Sequence, residues 1–139
     1  MTNTEQNILL DASNEQLWII RYVGPFNADD FRAHLQEADD VLQARPPGLP
    51  LGYVMDIDNA PPLLGDIRNA AVAFWKRNRE QLTRDLVCIA YVCNKRWMRG
   101  AIIAFNWFSP LPAAFSFHST VDEARAAAAS KVEFAEAHS

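Results

Sequence analysis

The chain is predicted to fold as a single α/β domain: a mixed sheet of about five strands, with an N-terminal hairpin, central parallel strands and four helices mainly on one face. Three observations predict this. Two runs, Leu51-Gly-Tyr-Val-Met-Asp-Ile-Asp58 and Leu86-Val-Cys-Ile-Ala-Tyr-Val-Cys93, are near-continuously apolar and β-favouring, which suits parallel strands covered on both faces. The stretches around them carry helical periodicity, and the connections are short enough for right-handed crossovers. A length of 139 residues is usual for one domain with its own core, here spanning about residues 8 to 134 of the domain 1–139.

The elements follow in order. Ile8 to Leu10 and Leu17 to Val23 are apolar runs separated by the polar turn Asp11-Ala-Ser-Asn-Glu-Gln16, so they form an antiparallel hairpin at the sheet edge. Gly24-Pro25 breaks the second run, and Asn27 with Asp30 opens a helix as cap and acidic first turn. Phe31, Leu35, Ala38 and Leu42 make its apolar stripe. Arg32, Gln36, Glu37, Asp39 and Gln43 are expected in water, and His34 on the helix surface. Arg45-Pro-Pro-Gly-Leu-Pro50 ends that helix.

After the strand at 51–58 and the turn Asn59-Ala-Pro-Pro-Leu-Leu-Gly65, a second helix is expected from about Asp66 to Thr83, with Asp66 as its N-cap. Ile67, Ala70, Ala71 and Phe74 face inward on it. A third helix, about Trp97 to Phe108, is apolar nearly all round and must be covered by something. Ala113 to Phe117 forms a last strand. Thr120-Val-Asp-Glu123 is a capping box for a helix ending near Phe134, beyond which the tail frays.

Composition narrows the function. The net charge of -4 argues against a nucleic-acid binder, which normally shows a strong basic face. Neither a signal peptide nor a membrane span is expected, which points to the cytoplasm. Cys88 and Cys93 lie five residues apart on one strand, facing opposite ways, so they read as core residues rather than a disulfide.

No metal, cofactor or catalytic residue is expected. His34, His118 and His138 lie far apart without ligand spacing, and no phosphate-binding or nucleophile-elbow motif occurs among 5 glycines. Asp56 and Asp58 share a strand face and form the one candidate carboxylate pair, although strand-end carboxylates more often bond loop N–H groups. Asn94, Lys95, Arg96 and Arg99 are either an anion site or a solvated loop.

In element order the chain resembles the STAS domain, the anti-sigma factor antagonist fold, and especially its stage II sporulation protein AA-like prokaryotic branch. The resemblance is carried by Trp18-Ile-Ile-Arg-Tyr-Val-Gly24, Tyr53-Val-Met-Asp-Ile-Asp58, Val87-Cys-Ile-Ala-Tyr-Val92 and Ala114-Phe-Ser-Phe117 before Val121-Asp-Glu-Ala124. It implies a non-catalytic module that binds other proteins through the loop before the second helix, here Asp58, Leu63, Leu64, Asp66 and Arg68. Regulatory members carry a phosphorylated Ser or Thr there. Leu63-Leu-Gly-Asp66 has no hydroxyl, so a phosphorylation switch is not expected.

Two functional expectations follow, with an uncharacterised enzyme third. One is a protein-interaction module, homodimeric through Trp97, Phe105, Trp107 and Phe108. The other is a carrier or sensor of a small apolar ligand or lipid, suggested by the same aromatic excess.

Overall fold

In the computed structural model, which describes residues 7–62, 64–111 and 113–138, five strands pair in chain order. They are β1 (Ile8–Asn14), β2 (Leu17–Tyr22), β3 (Leu51–Asp56), β4 (Leu86–Val92) and β5 (Phe115–His118). β1 and β2 form the edge hairpin, and the other three pairings are parallel. The strand at 51–56 therefore sits at the centre, beside 86–92. β1 runs further than its polar sequence suggests, to Asn14, because Asp11 and Asn14 accept from the backbone N–H of Ser13 and Gln16 and hold the irregular end in place.

Side-chain alternation divides the sheet into two faces of different character. Trp18, Ile20, Tyr22, Tyr53, Ile89, Tyr91 and Cys93 point to one, and α1 (Ala28–Ala44), α2 (Gly65–Arg77) and α4 (Arg96–Phe108) pack there. Val54, Cys88, Ala90 and Val92 point to the other, against Ala124 and Ala128 of α5 (Val121–Ala137). The two cysteines thus occupy separate cores, as their spacing requires. The α5 face is built from small residues so that helix and sheet approach closely. A Cβ on Gly52 would lie 3.0 Å from Val132 Cγ2.

Five expectations are corrected. The second helix is broken at Asn78 into α2 and a short α3 (Arg79–Asp85), giving five helices instead of four. Asn78 Nδ2 donates to Phe74 O at 3.0 Å and to Asp39 Oδ1 at 2.7 Å, competing with the helical ladder. Asp39 is correspondingly not in water: Arg77 also donates to it, so it clamps α1 to the end of α2.

His34 is buried rather than on the surface, because it falls between Phe31 and Ala38 on the apolar stripe and packs against Tyr22. Asp66 is not the cap of α2. Leu64 occupies that position without a side-chain hydrogen bond, and Gly65, at φ +55°, makes the left-handed step into the helix, leaving Asp66 in the first turn. Finally, α5 continues through Ala137 instead of fraying after Phe134, with the His138 ring stacked on Phe134 and the His138 N–H donating to its carbonyl. Asn27 and Thr120 both cap their helices as expected, but the box at Thr120 is displaced by one residue, with Glu123 accepting from the Ser119 N–H instead of that of Thr120.

At the amino-terminal end of the parallel strands, Arg45 and Asp85 form a buried pair with side chains 2% and 1% exposed. Arg45 donates to the carbonyls of Glu15 and Leu49, while Asp85 accepts from Gly48 N and Arg84. The network locks the connection preceding β3 to the one preceding β4. The opposite end of the sheet is left free for the loops that surround the candidate site.

Candidate functional site

At the carboxyl ends of β3 and β4, the acidic residues are engaged in structure. Asp58 accepts from Asn94 N at 2.6 Å and Asn94 Nδ2 at 2.7 Å, and Asn94 also donates to Ser119 O at 3.1 Å. Asp58 and Asn94 between them thus tie three loops together. Asp56 accepts from Asp58 N at 3.3 Å and faces Arg21 at 3.8 Å. The two aspartates hold loops rather than a shared proton. Of the cationic loop, Asn94 is committed to Asp58, and Arg99 donates to Cys93 O and lies over the Phe117 ring, leaving Lys95 and Arg96 exposed.

Beyond that loop end lies an apolar cavity of about 340 Å³ between the sheet and α1, α2 and α4. Its floor comes from the strands, through Ile20, Tyr22, Tyr53, Met55 and Tyr91. Its walls come from Phe31, His34, Leu35 and Ala38 on α1, Ala71, Phe74 and Trp75 on α2, and Met98, Ile102 and Phe105 on α4. The helices form this wall because each buries one stripe, at i, i+4 and i+7 for Met98, Ile102 and Phe105. Leu64 and Trp97 also line it although 69% and 54% exposed, so the cavity opens between the β3–α2 loop and α4.

Polar atoms in this space are few and poorly partnered. His34 Nδ1 and the Tyr53 hydroxyl are buried without a hydrogen-bond partner. Burial pushes the His34 imidazolium down to about 4, so the ring is neutral at ordinary pH. Burial likewise pushes the phenols of Tyr22, Tyr53 and Tyr91 up, keeping them protonated.

The structure therefore brings together Leu64, Trp97 and Phe105 from the two sets of candidate residues, on the lining of one cavity. It leaves Asp58, Asp66, Arg68, Trp107 and Phe108 outside that lining. Asp66 is exposed near Arg32, at 4.0 Å, and Arg68 is exposed on α2. Trp107 and Phe108 are 75% and 83% exposed on the outward side of α4. Leu63 lies outside the described residues, as does Pro112.

Sequence reasoning missed His34, Tyr22, Tyr53 and Tyr91. The signal for His34 was its place on the stripe, three residues after Phe31. The tyrosines share one parity with Trp18 and Ile89, which the strand register aligns.

Among the described residues, no group of three or more His, Cys, Asp and Glu is placed to hold a metal ion, and no helix is long and apolar enough to cross a membrane. No protein-family model matches the chain, and no curated protein does. Among solved structures, it is similar to an uncharacterised DUF3478-family protein with a SpoIIAA-like fold from Shewanella loihica PV-4. The TM-score is 0.65 at 15% identity, covering 92% of this chain and 98% of that one. At that identity the likeness speaks for the fold, and the chain has a SpoIIAA-like α/β fold, as its element order implied.

Proposed function

We propose that this SpoIIAA-like fold is a non-catalytic, STAS-like module that holds a small apolar ligand between its sheet and helices and presents the result to a protein partner. The cavity carries the reading. About 340 Å³ falls at the lower end of the ~300–1,000 Å³ of small-molecule sites, and its lining is apolar and aromatic with a few convergent polar groups, as in such sites. At ~30 Å³ per atom-sized volume it takes roughly ten non-hydrogen atoms. The rim residues Leu64 and Trp97 connect occupancy to the loop and helix that would meet a partner.

Native mass spectrometry of the protein purified from its producing cell tests this. A co-purifying compound of about that size supports the carrier. An empty protein whose tryptophan fluorescence ignores a panel of small apolar compounds rejects it, since Trp75 and Trp97 line the cavity and would report occupancy.

The outward side of α4 favours an interaction role alongside. Ile103, Trp107 and Phe108 are exposed at i, i+4 and i+5, with Gly100 and Ala104 between them on the same side, and exposed apolar patches mark interfaces. A second copy of the chain is the partner proposed, giving a homodimer. Light scattering during gel filtration at high micromolar concentration should then show a dimer that Trp107→Glu converts to monomer. A monomer in both would dismiss the dimer.

A further inference from the structure

Resting on the ligand-binding reading, the inference here concerns which end of the ligand enters and what charge it carries. None of the described residues that line the cavity is Asp, Glu, Lys or Arg. An ion brought inside would lose its hydration with no opposite charge to replace it. The lining is not purely hydrocarbon, however. His34 and the three tyrosines place neutral donors and acceptors on its inner wall.

Two of these groups, His34 Nδ1 and the Tyr53 hydroxyl, lack any hydrogen-bond partner, and buried polar groups in folded proteins ordinarily have one. The groups are also neighbours. His34 meets Tyr22 edge-on at 5.9 Å between ring centroids, and Tyr53 and Tyr91 lie on the strands beside them, lining the same cavity. All lie deep, whereas the rim carries Leu64, Pro61, Pro62 and Trp97, whose indole N–H can donate but not accept.

We infer that the cavity selects an uncharged amphiphile and takes it head first, with a single hydroxyl, carbonyl or amide against His34 and the tyrosines and a hydrocarbon body reaching toward Leu64 and Trp97. A phenol donates and a neutral imidazole both donates and accepts, so either an alcohol or a carbonyl head is served. A carboxylate would be met by neutral donors alone, without a cation. An ammonium would find acceptors but no anion. The site thus discriminates by excluding charge as much as by binding the head.

The test titrates the full chain at pH 7.5 with 1-octanol, octanoate and octylammonium, following tryptophan fluorescence. 1-Octanol is expected to bind about tenfold more tightly than either ion, because each ion would be buried unpaired. His34→Leu and Tyr53→Phe, checked for intact fold by circular dichroism, should each weaken 1-octanol about fivefold, the order expected for one neutral hydrogen bond. Ala38→Leu, which takes up part of the cavity, should weaken 1-octanol by about tenfold or more.

Octanoate or octylammonium binding as well as 1-octanol would overturn the inference while leaving the ligand cavity standing. Unchanged 1-octanol affinity in both His34→Leu and Tyr53→Phe would overturn the head-first orientation. No response to any compound would remove the cavity reading as well. A 1-octanol affinity unchanged by Ala38→Leu would place the binding elsewhere and refute both.

Discussion

Filling the cavity should make the protein more stable and less able to bind. Ala38 is buried on the α1 wall and lines the void. Ala38→Leu adds three carbons, which at ~0.8 kcal/mol per buried methylene contribute roughly 2.4 kcal/mol. Ordering the leucine side chain costs about 0.5–1 kcal/mol. The net gain is about 1.5 kcal/mol, well below the ~2.7–5 kcal/mol lost in the reverse change at close-packed sites, because one leucine fills only part of 340 Å³. For a chain of this length that raises Tm by about 5 °C.

Urea titration at two probe wavelengths and calorimetry measure the gain, and ligand titration of the same sample measures the loss. A stabilised protein that binds more weakly is the signature of a functional void, since stability and activity are then traded at one position. If Ala38→Leu instead destabilises by more than about 1 kcal/mol, the added carbons are overpacking a filled core and the reasoning fails.

Other outcomes follow from the same packing. His34 has a folded pKa of about 4 against an ordinary 6.5, so the unfolded chain takes a proton that the native state refuses. Stability is therefore full above pH 6.5 and falls by about 3 kcal/mol between pH 6.5 and 4, and His34→Leu should flatten that part of the urea-midpoint profile; parallel profiles would contradict it. Asp85→Ala leaves Arg45 buried and unpaired and should cost about 3–5 kcal/mol by denaturant melting, whereas Asp66→Ala, which removes no cap, should stay within about 0.5 kcal/mol. In hydrogen exchange, the amides of β3 and β4 should be slowest, and fast exchange throughout 51–56 would deny them the centre of the core.

The sequence by itself determined the element order, the edge hairpin, the two parallel core strands and the capped starts of α1 and α5, because each rests on local chemistry. Period, turn residues and caps act within a few positions of one another. It also contained the aromatic excess of α4, and the strand parity that separates Cys88 from Cys93. The tertiary structure decided the break at Asn78, since its side chain answers to Asp39, a residue 39 positions earlier. It decided that Asp58 holds Asn94, that Arg45 and Asp85 are buried together, and that Leu64, Trp97 and Phe105 line one cavity. The cavity is the clearest case. A void is the space that α1, α2 and α4 leave when each buries its own stripe on a twisted sheet, so it depends on their separation and belongs to no single segment.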